Sequence, residues 1–582
     1  DHFRVVFFIY TYMKKILTTL FTFLFCGVLV NAQPAEFKDG RYRITMKDKN
    51  NSPYSVTRPQ EFLSQKAIER REKFNIAVTE QDIPVTPQYL STISDLGAVL
   101  CNSSKWFNSA IFYIATKETY NLVAKLPFVK GIDFVAPKPE YKKDKHKLSE
   151  QTAVEQTLSI FSEPRKTNES AYSYLNNIYG RSIVQNLMLG TIQSHLAGHY
   201  GQGMTIAVVD AGFLHVDSAS VFQLIRDEKR LLFTRDLSGT EKLLDSTSIY
   251  EEGSHGMMVL SLIGGFVPGK LVGTAPGANF ILLHSEEGET EYVVEEDNWV
   301  AAAELADSAG ADIISTSLGY SDFDDKSQSH TYKEMDGNST RITIGADIAA
   351  SKGMLLVNSA GNSGDEPWKY ITSPADADSI ITVGACKGNK KRTKFGSLGP
   401  TSDGRIKPDV MALGLFPTIV TATGKIANTS GGTSFSCPLV AGCCATLWQE
   451  FPDSSAQAIK KALIRSGDRY FKPNAKYGHG IPNINKVRAY FYTKEFYDLL
   501  ATKYILPDYD SFFEIVWDDE KGCNLVKDFV FIVETGNNSA PSFIVKDHQY
   551  ADITLPDISE KGVKLLCMVD LKKSVGIKIY PR

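Results

Sequence analysis

The chain is poor in cysteine and has no surplus of charge of one sign. Its 582 residues include eight cysteines, at irregular spacings and without a C-x-x-C pair, which argues against a disulfide framework or a zinc site. Its 63 basic and 67 acidic residues give a formal net charge of −4, so bulk charge does not point to nucleic acid or an anionic membrane as a partner. Function must therefore be sought in local motifs.

Long apolar segments are also scarce. The mostly apolar run at residues 16–30 is shorter than the ~20 residues that a membrane-spanning helix needs. Because Lys14 and Lys15 precede this run and the small-residue segment Val30-Asn31-Ala32 ends it, the pattern predicts a secretory signal peptide that starts at Met13. We therefore expect no membrane anchor, and a periplasmic or extracellular location.

The pattern of apolar residues divides the chain into five predicted segments. The first, residues 1–32, holds upstream sequence and the signal peptide. Residues 33–135 alternate strands and helices in the order of a ferredoxin-like βαββαβ unit. Residues 136–177 lose apolar periodicity, which predicts an exposed, protease-accessible linker. Residues 178–490 predict an α/β domain, and residues 491–582 return to the short strands of a β-rich domain.

The α/β segment has the pattern of a largely parallel sheet. Its apolar, β-branched runs alternate with helices, as expected when helices cover both faces of the sheet. The strand candidates are residues 206–209, 281–284, 312–317, 354–358 and 380–385, and the helix candidates are residues 255–263, 295–309 and 344–352.

Three short segments of this domain carry candidate catalytic side chains. Asp210 directly follows the predicted strand 206–209, at the carboxyl edge where open α/β sheets place their sites. His255 opens an apolar helix, and Ser434 follows glycines at the start of another, beside backbone N–H groups and a positive dipole end. Taken singly, each residue is more often structural, as a turn residue, a core histidine or a helix N-cap.

Taken in chain order, these segments resemble the motifs of the subtilase family. Residues 210–212 match D-x-G, residues 255–257 match H-G-x, and residues 432–438 match G-T-S-x-x-x-P. The order Asp, His, Ser differs from that of chymotrypsin-like enzymes and from that of α/β-hydrolases. The resemblance covers roughly residues 195–490. It implies a subtilisin-like serine endopeptidase, a secreted hydrolase of protein or peptide substrates, with Asp210, His255 and Ser434 as its triad.

Two further motifs extend the resemblance to the substrate side of the site. Residues 358–364, NSAGNSG, match the oxyanion loop of the family, which implies that Asn362 binds the oxyanion together with the Ser434 backbone N–H. The segment Ser317-Leu318-Gly319 matches the edge against which a peptide substrate pairs as an added strand. The P1 side chain would then enter a pocket bounded by Ala360 and Gly361.

The N-terminal unit, residues 33–135, resembles the inhibitor-like propeptide of subtilases. The resemblance implies a zymogen, in which this unit acts as an intramolecular chaperone and inhibitor that ends in the active site and is released by cleavage in the linker. A permanent accessory domain is the alternative.

The chain departs from the family beside its predicted catalytic groups. Met257 and Met258 stand where the family usually has Thr and a second His or similar residue. Phe435 follows the predicted nucleophile where many relatives carry an oxidisable Met. Because His255-Gly256 is retained, these departures affect the tuning of the site more than its chemistry.

Other candidate sites carry weaker signals. His195 and His199 have metal-ligand spacing but lack the Glu of an H-E-x-x-H motif. Glu295 and Glu296 adjoin on a predicted helix, so they are expected to point apart as solvated surface instead of forming a glycosidase pair. We therefore predict no catalytic metal and no required cofactor.

A structural calcium ion is the one metal that the acidic loops suggest. Residues 322–325 and 336–338 supply several carboxylates, and subtilases often bind calcium, although loop carboxylates are usually only solvated. Two functional alternatives also stay open: a peptide-processing transpeptidase that uses the same triad, and a non-catalytic subtilase-like binding protein.

Overall fold

A computed structural model describes most of the chain between residues 37 and 581. The described residues are 37–139, 146–148, 158, 160, 170–239, 249–288, 290–501, 504–505, 508–510, 528–535, 538–546, 563–570 and 573–581. The predicted signal peptide and most of the predicted linker lie outside this part of the chain.

An antiparallel sheet of four strands organises the N-terminal unit. Its strand order is β2-β3-β1-β4, and every neighbouring pair is antiparallel. The order of elements is that of a ferredoxin-like unit with one additional helix, as the sequence predicts. The elements are β1 Gly40–Met46, α1 Gln65–Lys73, α2 Pro87–Asp95, β2 Val99–Ser104, β3 Ser109–Ile114, α3 Lys117–Val123 and β4 Val129–Ala136.

Short helices lead from the N-terminal unit into the α/β domain, whose elements alternate in sequence. The leading helices are α4 Ala171–Tyr179, α5 Ile183–Leu189 and α6 Thr191–Leu196. The alternating elements are β5 Thr205–Asp210, α7 Gln223–Asp227, β6 Leu231–Asp236, α8 His255–Gly264, β7 Phe266–Val267, β8 Leu271–Val272, β9 Asn279–His284, α9 Val294–Ala309, β10 Ile313–Thr316, α10 Arg341–Ser351, β11 Leu355–Ser359, β12 Ile381–Cys386, β13 Val410–Leu413, β14 Ile419–Val420, β15 Ile426–Ala427, α11 Thr433–Glu450 and α12 Ala456–Arg465.

Seven of these strands form one parallel sheet in the order β13-β12-β11-β10-β5-β9-β6. The prediction of a parallel α/β fold is therefore confirmed. The residue pattern predicts the five inner strands but does not predict β6 and β13 at the two edges. Strand β6 is only partly buried and β13 has four residues, so neither shows the long apolar run that marks a central strand.

The sheet separates two hydrophobic cores, and alternate residues of β5 reach opposite ones, as strand geometry requires. Ile206 and Val208 join a core that includes residues of α8 and α11. Ala207 and Val209 join a core with residues of α9 and α10. The helix α11 therefore lies across one face of the sheet, and its first turn lies close to the carboxyl end of β10, because the Ser317 hydroxyl donates to the Ser434 carbonyl at 2.9 Å.

The C-terminal part of the chain is β-rich, as predicted. Helix α13, Ile484–Ala501, runs through the predicted domain boundary at residues 490 and 491, so that boundary falls inside a helix. An antiparallel sheet of order β16-β20-β19-β17-β18 follows. Its strands are β16 Tyr504–Ile505, β17 Asp528–Thr535, β18 Asn538–Lys546, β19 Val563–Asp570 and β20 Lys573–Pro581. Within the described ranges, no helix is both long and apolar enough to cross a membrane.

Candidate active site

Strand β5 and helix α8 bring Asp210 against His255. Asp210 is the last residue of β5 and is fully buried, and its Oδ1 lies 2.6 Å from His255 Nδ1. The same oxygen accepts the N–H of Ala211 at 2.8 Å. Burial lowers the pKa of His255, but the charge of Asp210 and its hydrogen bond outweigh that effect and raise the pKa above its ordinary value of 6.5. The hydrogen bond at Nδ1 thus orients the histidine and leaves Nε2 available to accept a proton.

Ser434 lies in the first turn of α11, at the same end of the sheet. Its side chain is nearly buried, at 7% exposure, and its Oγ donates to the carbonyl oxygen of Ser317 at 3.4 Å. Within the described structure, no hydrogen bond joins the Ser434 hydroxyl to His255. Both side chains line one cavity of about 570 Å³. Catalytic hydrogen bonds are often long or misaligned in the absence of substrate.

Asn362 lies on the loop that follows β11 and also lines this cavity. Its Oδ1 accepts two hydrogen bonds from Thr433, one from the backbone N–H at 2.9 Å and one from the hydroxyl at 3.1 Å. The Nδ2 group makes no hydrogen bond with the described residues, so the amide keeps two donors for a ligand. Thr433 lies within the G-T-S motif, but the motif alone indicates no role for it, because its effect is exerted through Asn362.

Both predicted substrate segments border the cavity that contains Ser434. Ser317, Leu318 and Gly319 follow β10 and line the cavity, as does Gly361. Ala360 differs, because it is fully buried against Ile371 and Ala375. Of the pair predicted to bound the P1 pocket, only Gly361 thus reaches the cavity.

A positive backbone φ of 99° makes glycine the suitable residue at Gly361. A Cβ atom there would also lie 2.8 Å from the Ser397 hydroxyl, so a larger residue would disturb the loop that carries Asn362.

The sequence interpretation of Glu295 and Glu296 as solvated surface was wrong. Both side chains are only 1% exposed. Helix α9, which carries them, packs against β5 and β9 of the sheet and also against β2 and α1 of the N-terminal unit, so neither carboxylate lies on a solvated helix face. The carboxylate of Glu296 accepts from His330 Nε2 at 2.7 Å, whereas Glu295 lines the cavity.

The histidines with metal-ligand spacing have other partners. His195 is fully buried, with Nδ1 bonded to the Tyr179 hydroxyl at 2.8 Å and Nε2 to the Thr274 carbonyl at 3.0 Å. Burial lowers the pKa of His195 to about 4. Among the residues that the structure describes, no group of three or more His, Cys, Asp or Glu side chains is placed to hold a metal ion. The calcium ion suggested for residues 322–325 and 336–338 stays a prediction.

Two parts of the chain match known protein families. The subtilase family matches residues 201–480, and the peptidase S8 propeptide domain of Bacteroidota matches residues 41–152.

Among curated proteins, serine protease AprX of Bacillus subtilis (strain 168) is 27% identical over 314 residues, which are 49% of this chain and 65% of that protein. Subtilisin DY of Bacillus licheniformis is 30% identical over 190 residues, 32% of this chain and 60% of that protein. The chain thus spans less than two thirds of either relative.

Solved structures are also similar to this chain, at lower sequence identity. The epidermin leader peptide processing serine protease EpiP of Staphylococcus aureus is 17% identical, with a TM-score of 0.47 over 77% of this chain and 97% of that one. MycP1 of Mycobacterium smegmatis is 19% identical, with a TM-score of 0.41 over 52% of this chain and 83% of that one. On these matches, residues 201–480 belong to the subtilase family of serine peptidases, and residues 41–152, ahead of them, form an S8 propeptide domain.

Proposed function

We infer that this chain is a secreted serine endopeptidase, which hydrolyses peptide bonds through Asp210, His255 and Ser434. The observation that carries the proposal is the 2.6 Å contact between His255 Nδ1 and Asp210 Oδ1, at a cavity that His255 shares with Ser434 and Asn362. A histidine held by a buried carboxylate, beside a serine at a helix N-terminus, is the combination that activates a hydroxyl nucleophile.

In the proposed reaction, Ser434 Oγ attacks the carbonyl carbon of the scissile bond while His255 Nε2 accepts its proton. The tetrahedral intermediate collapses when His255 returns that proton to the leaving amine, which leaves an acyl group on Ser434. Water then attacks the carbonyl carbon of the acyl-enzyme while His255 accepts a proton from the water. His255 returns this proton to Ser434 Oγ as the acid product leaves. Asp210 keeps its charge throughout, because its role is to hold the Nδ1–H tautomer and to stabilise the imidazolium.

The negative oxygen of the intermediate would be bound by Asn362 Nδ2 and the Ser434 backbone N–H. The two hydrogen bonds from Thr433 hold the oxygen of the Asn362 amide, so the amide donors are oriented before substrate arrives. The Ser434 N–H lies in the first turn of α11, where helical N–H groups have no acceptor within the helix. Preorganised donors of this kind stabilise developing charge without reorganisation.

A peptide would bind as an added strand along Ser317-Leu318-Gly319, with its P1 side chain on the side of Gly361. Main-chain hydrogen bonds to a free strand edge give affinity without regard to sequence, and the pockets on either side give specificity. No cofactor enters this mechanism.

The N-terminal unit would act as the intramolecular chaperone and inhibitor of the peptidase domain. Its charged contacts with the peptidase domain include the ion pairs of Arg43 with Asp297 at 2.6 Å and of Arg70 with Asp307 at 2.6 Å, and it matches a propeptide family. N-terminal sequencing of the active form tests this role. A start within or after the linker is expected, whereas an active form that begins at residue 33 would identify a permanent accessory domain.

The peptidase proposal is tested by fluorophosphonate labelling of the purified protein, which is produced as the full chain and allowed to process itself. We expect labelling of the wild type and none of Ser434→Ala. Ser436→Ala is the matched control. Ser436 lies on the same helix but is fully buried, so removal of its hydroxyl should leave labelling intact. Mass spectrometry of a digested peptide library then separates hydrolysis from ligation. Labelling of Ser434→Ala equal to that of the wild type would identify a different nucleophile, and no labelling of either would indicate a binding protein.

A further inference from the structure

Acidic side chains form one wall of the cavity that contains Ser434. The wall consists of Glu286, Glu287, Glu291, Glu295 and Asp324, on the segment between β9 and α9, the first turn of α9, and the loop after β10. Three of these residues, Glu286, Glu287 and Glu295, are at least nine-tenths buried. The catalytic mechanism uses none of the five.

Among the described residues, most of the acidic wall has no cationic partner. Glu286 Oε1 accepts from the Tyr320 hydroxyl at 2.5 Å and from the Ser285 hydroxyl at 2.7 Å, which are neutral donors. Glu295 Oε1 accepts from the N–H of Glu287 at 2.7 Å, while its buried Oε2 has no hydrogen-bond partner among the described residues. The Glu291 carboxylate makes no hydrogen bond or ion pair with any of the described residues.

The one guanidinium paired with the acidic wall comes, within the described structure, from the N-terminal unit. Arg41 on β1 is fully buried and pairs with both carboxylate oxygens of Glu287, Nη1 with Oε1 and Nη2 with Oε2 at 2.9 Å. Arg41 Nε also donates to the Pro137 carbonyl at 2.9 Å, just after β4. The wall thus already accepts an arginine in the bidentate geometry that guanidinium and carboxylate favour. Release of the N-terminal unit would remove this cation.

Burial and neighbouring negative charge raise the pKa values of two of the remaining carboxylates, Glu291 and Glu295. Burial raises the pKa of Glu291, and the neighbouring carboxylates Glu286 and Asp324 raise it further. Burial likewise raises the pKa of Glu295, with further increases from Glu286 and Glu291. A cation placed among these groups would favour their ionised forms. Because the described side chains do not group as metal ligands, an organic cation suits the wall better than a metal ion.

The acidic wall shares one cavity with Gly361, which borders the predicted P1 pocket. In an added strand, successive side chains point to opposite faces, so a peptide whose P1 side chain faces Gly361 presents its P2 and P4 side chains to the other side. Glu286 lies close enough to His255 for its charge to raise the pKa of that histidine, so the acidic wall extends beside His255 in the cavity.

We propose that the acidic wall is a subsite for a lysine or arginine side chain at P2 or P4 of the peptide substrate. The proposal rests on the inferred peptidase function and adds a substrate class to it: peptides with a basic residue one or three positions before P1. Glu291 and Glu295, which pair with no cationic side chain among the described residues, would bind the basic side chain, and Glu287 would join them once Arg41 has left.

The test compares fluorogenic peptides that differ only by Arg or Gln at P1, P2 or P4, with the self-processed enzyme. A hydrogen bond to a charged group corresponds to about a tenfold or greater effect, so we expect kcat/KM for Arg at P2 or P4 to exceed that for Gln by about tenfold. In Glu291→Gln and Glu295→Gln this ratio should fall toward one. The ratio is taken within each variant, so a general loss of activity cancels. Glu228→Gln, an exposed residue paired with Arg230, is the matched control and should keep the wild-type ratio.

The outcomes separate this proposal from the peptidase function. Cleavage without a preference for Arg at P2 or P4, a preference confined to P1, or a ratio unchanged in both variants would overturn the subsite while the peptidase function stands. No cleavage of any peptide together with no fluorophosphonate labelling would overturn both.

Discussion

The hydroxyl of Ser317 donates a hydrogen bond of 2.9 Å to the carbonyl oxygen of Ser434. In a helix this carbonyl would accept the N–H of the residue four positions later, which is Pro438 and has no N–H. The Ser434 hydroxyl in turn donates to the Ser317 carbonyl at 3.4 Å. The predicted nucleophile and the predicted substrate edge are therefore held together by a reciprocal pair that depends on a proline inside α11.

We predict that Ser317→Ala destabilises the protein and lowers turnover. The substitution leaves the buried Ser434 carbonyl without its donor, which costs about 1–3 kcal/mol in free energy of unfolding, and it loosens the turn that carries the nucleophile. Chemical denaturation and kcat measure the two effects. Ser351→Ala is the control, because that exposed hydroxyl bonds only within its own helix. A Ser317→Ala chain as stable and active as the control would show that the pair is dispensable.

Asn362→Ala should preserve the fold and lose most turnover. The side chain lies on an exposed loop, so little packing is lost, but the oxyanion loses a preorganised donor. The loss expected in kcat is roughly 10²–10³, the range measured for the oxyanion asparagine of subtilisin, a relative. Enzyme concentrations are set by active-site titration, and Asn389→Ala on an exposed loop serves as the control. A titrated Asn362→Ala enzyme with near wild-type kcat would remove Asn362 from the mechanism.

Activity should fall on acidification with a midpoint above pH 6.5. His255 must be neutral to accept a proton, and although burial lowers its pKa, the charges of Asp210 and Glu286 raise the pKa above the ordinary value overall. The rate of fluorophosphonate labelling against pH measures this midpoint without a peptide substrate. For stability the sign is opposite: the protonated imidazole stabilises the fold below the unfolded pKa, and this contribution is lost as pH rises through the folded pKa. A labelling midpoint at or below 6.5 would contradict the assignment.

Asp307→Asn should destabilise the unprocessed chain. Asp307 is fully buried and pairs with Arg70 and Arg71 of the N-terminal unit, at 2.6 and 2.8 Å, and with Lys105 at 3.4 Å. Removing one partner of a buried ion pair leaves uncompensated charge and costs about 3–5 kcal/mol.

The measurement of Asp307→Asn uses Ser434→Ala as background, so that processing does not interfere. Chemical denaturation compares this variant with Asp322→Asn, which breaks the exposed pair with Lys326 and should cost at most about 1 kcal/mol. Equal stability of the two variants would show that the buried cluster does not hold the N-terminal unit.

Dilute peroxide should leave the enzyme active. Phe435 follows Ser434 and its ring centroid lies 6.1 Å from that of His255, so the position beside the nucleophile carries no oxidisable sulfur. Met257 and Cys437 are fully buried, and burial raises the pKa of the Cys437 thiol to about 12, which suppresses the reactive thiolate. Phe435→Met should become peroxide-sensitive. Rapid inactivation of the wild type, mapped by mass spectrometry to residues beside Ser434, would refute the prediction.

The sequence by itself determined the class of fold and the candidates for chemistry. Buried strands alternating with helices are a local pattern, and so are Asp210 at a strand end, His255 at a helix start and Ser434 after glycines. Their order along the chain distinguishes one family from others that use the same residue types. None of these inferences required knowledge of which distant segments touch.

The tertiary structure alone decided the environment of each side chain. Glu295 follows a residue pattern that suits a solvated helix face, yet it is buried because α9 is covered by the N-terminal unit as well as by the sheet. The pairing of Arg41 with Glu287 joins residues far apart in sequence, and so does the bond from Ser317 to Ser434. Burial and charge pairing depend on contacts between distant segments, and local periodicity carries no information about those contacts.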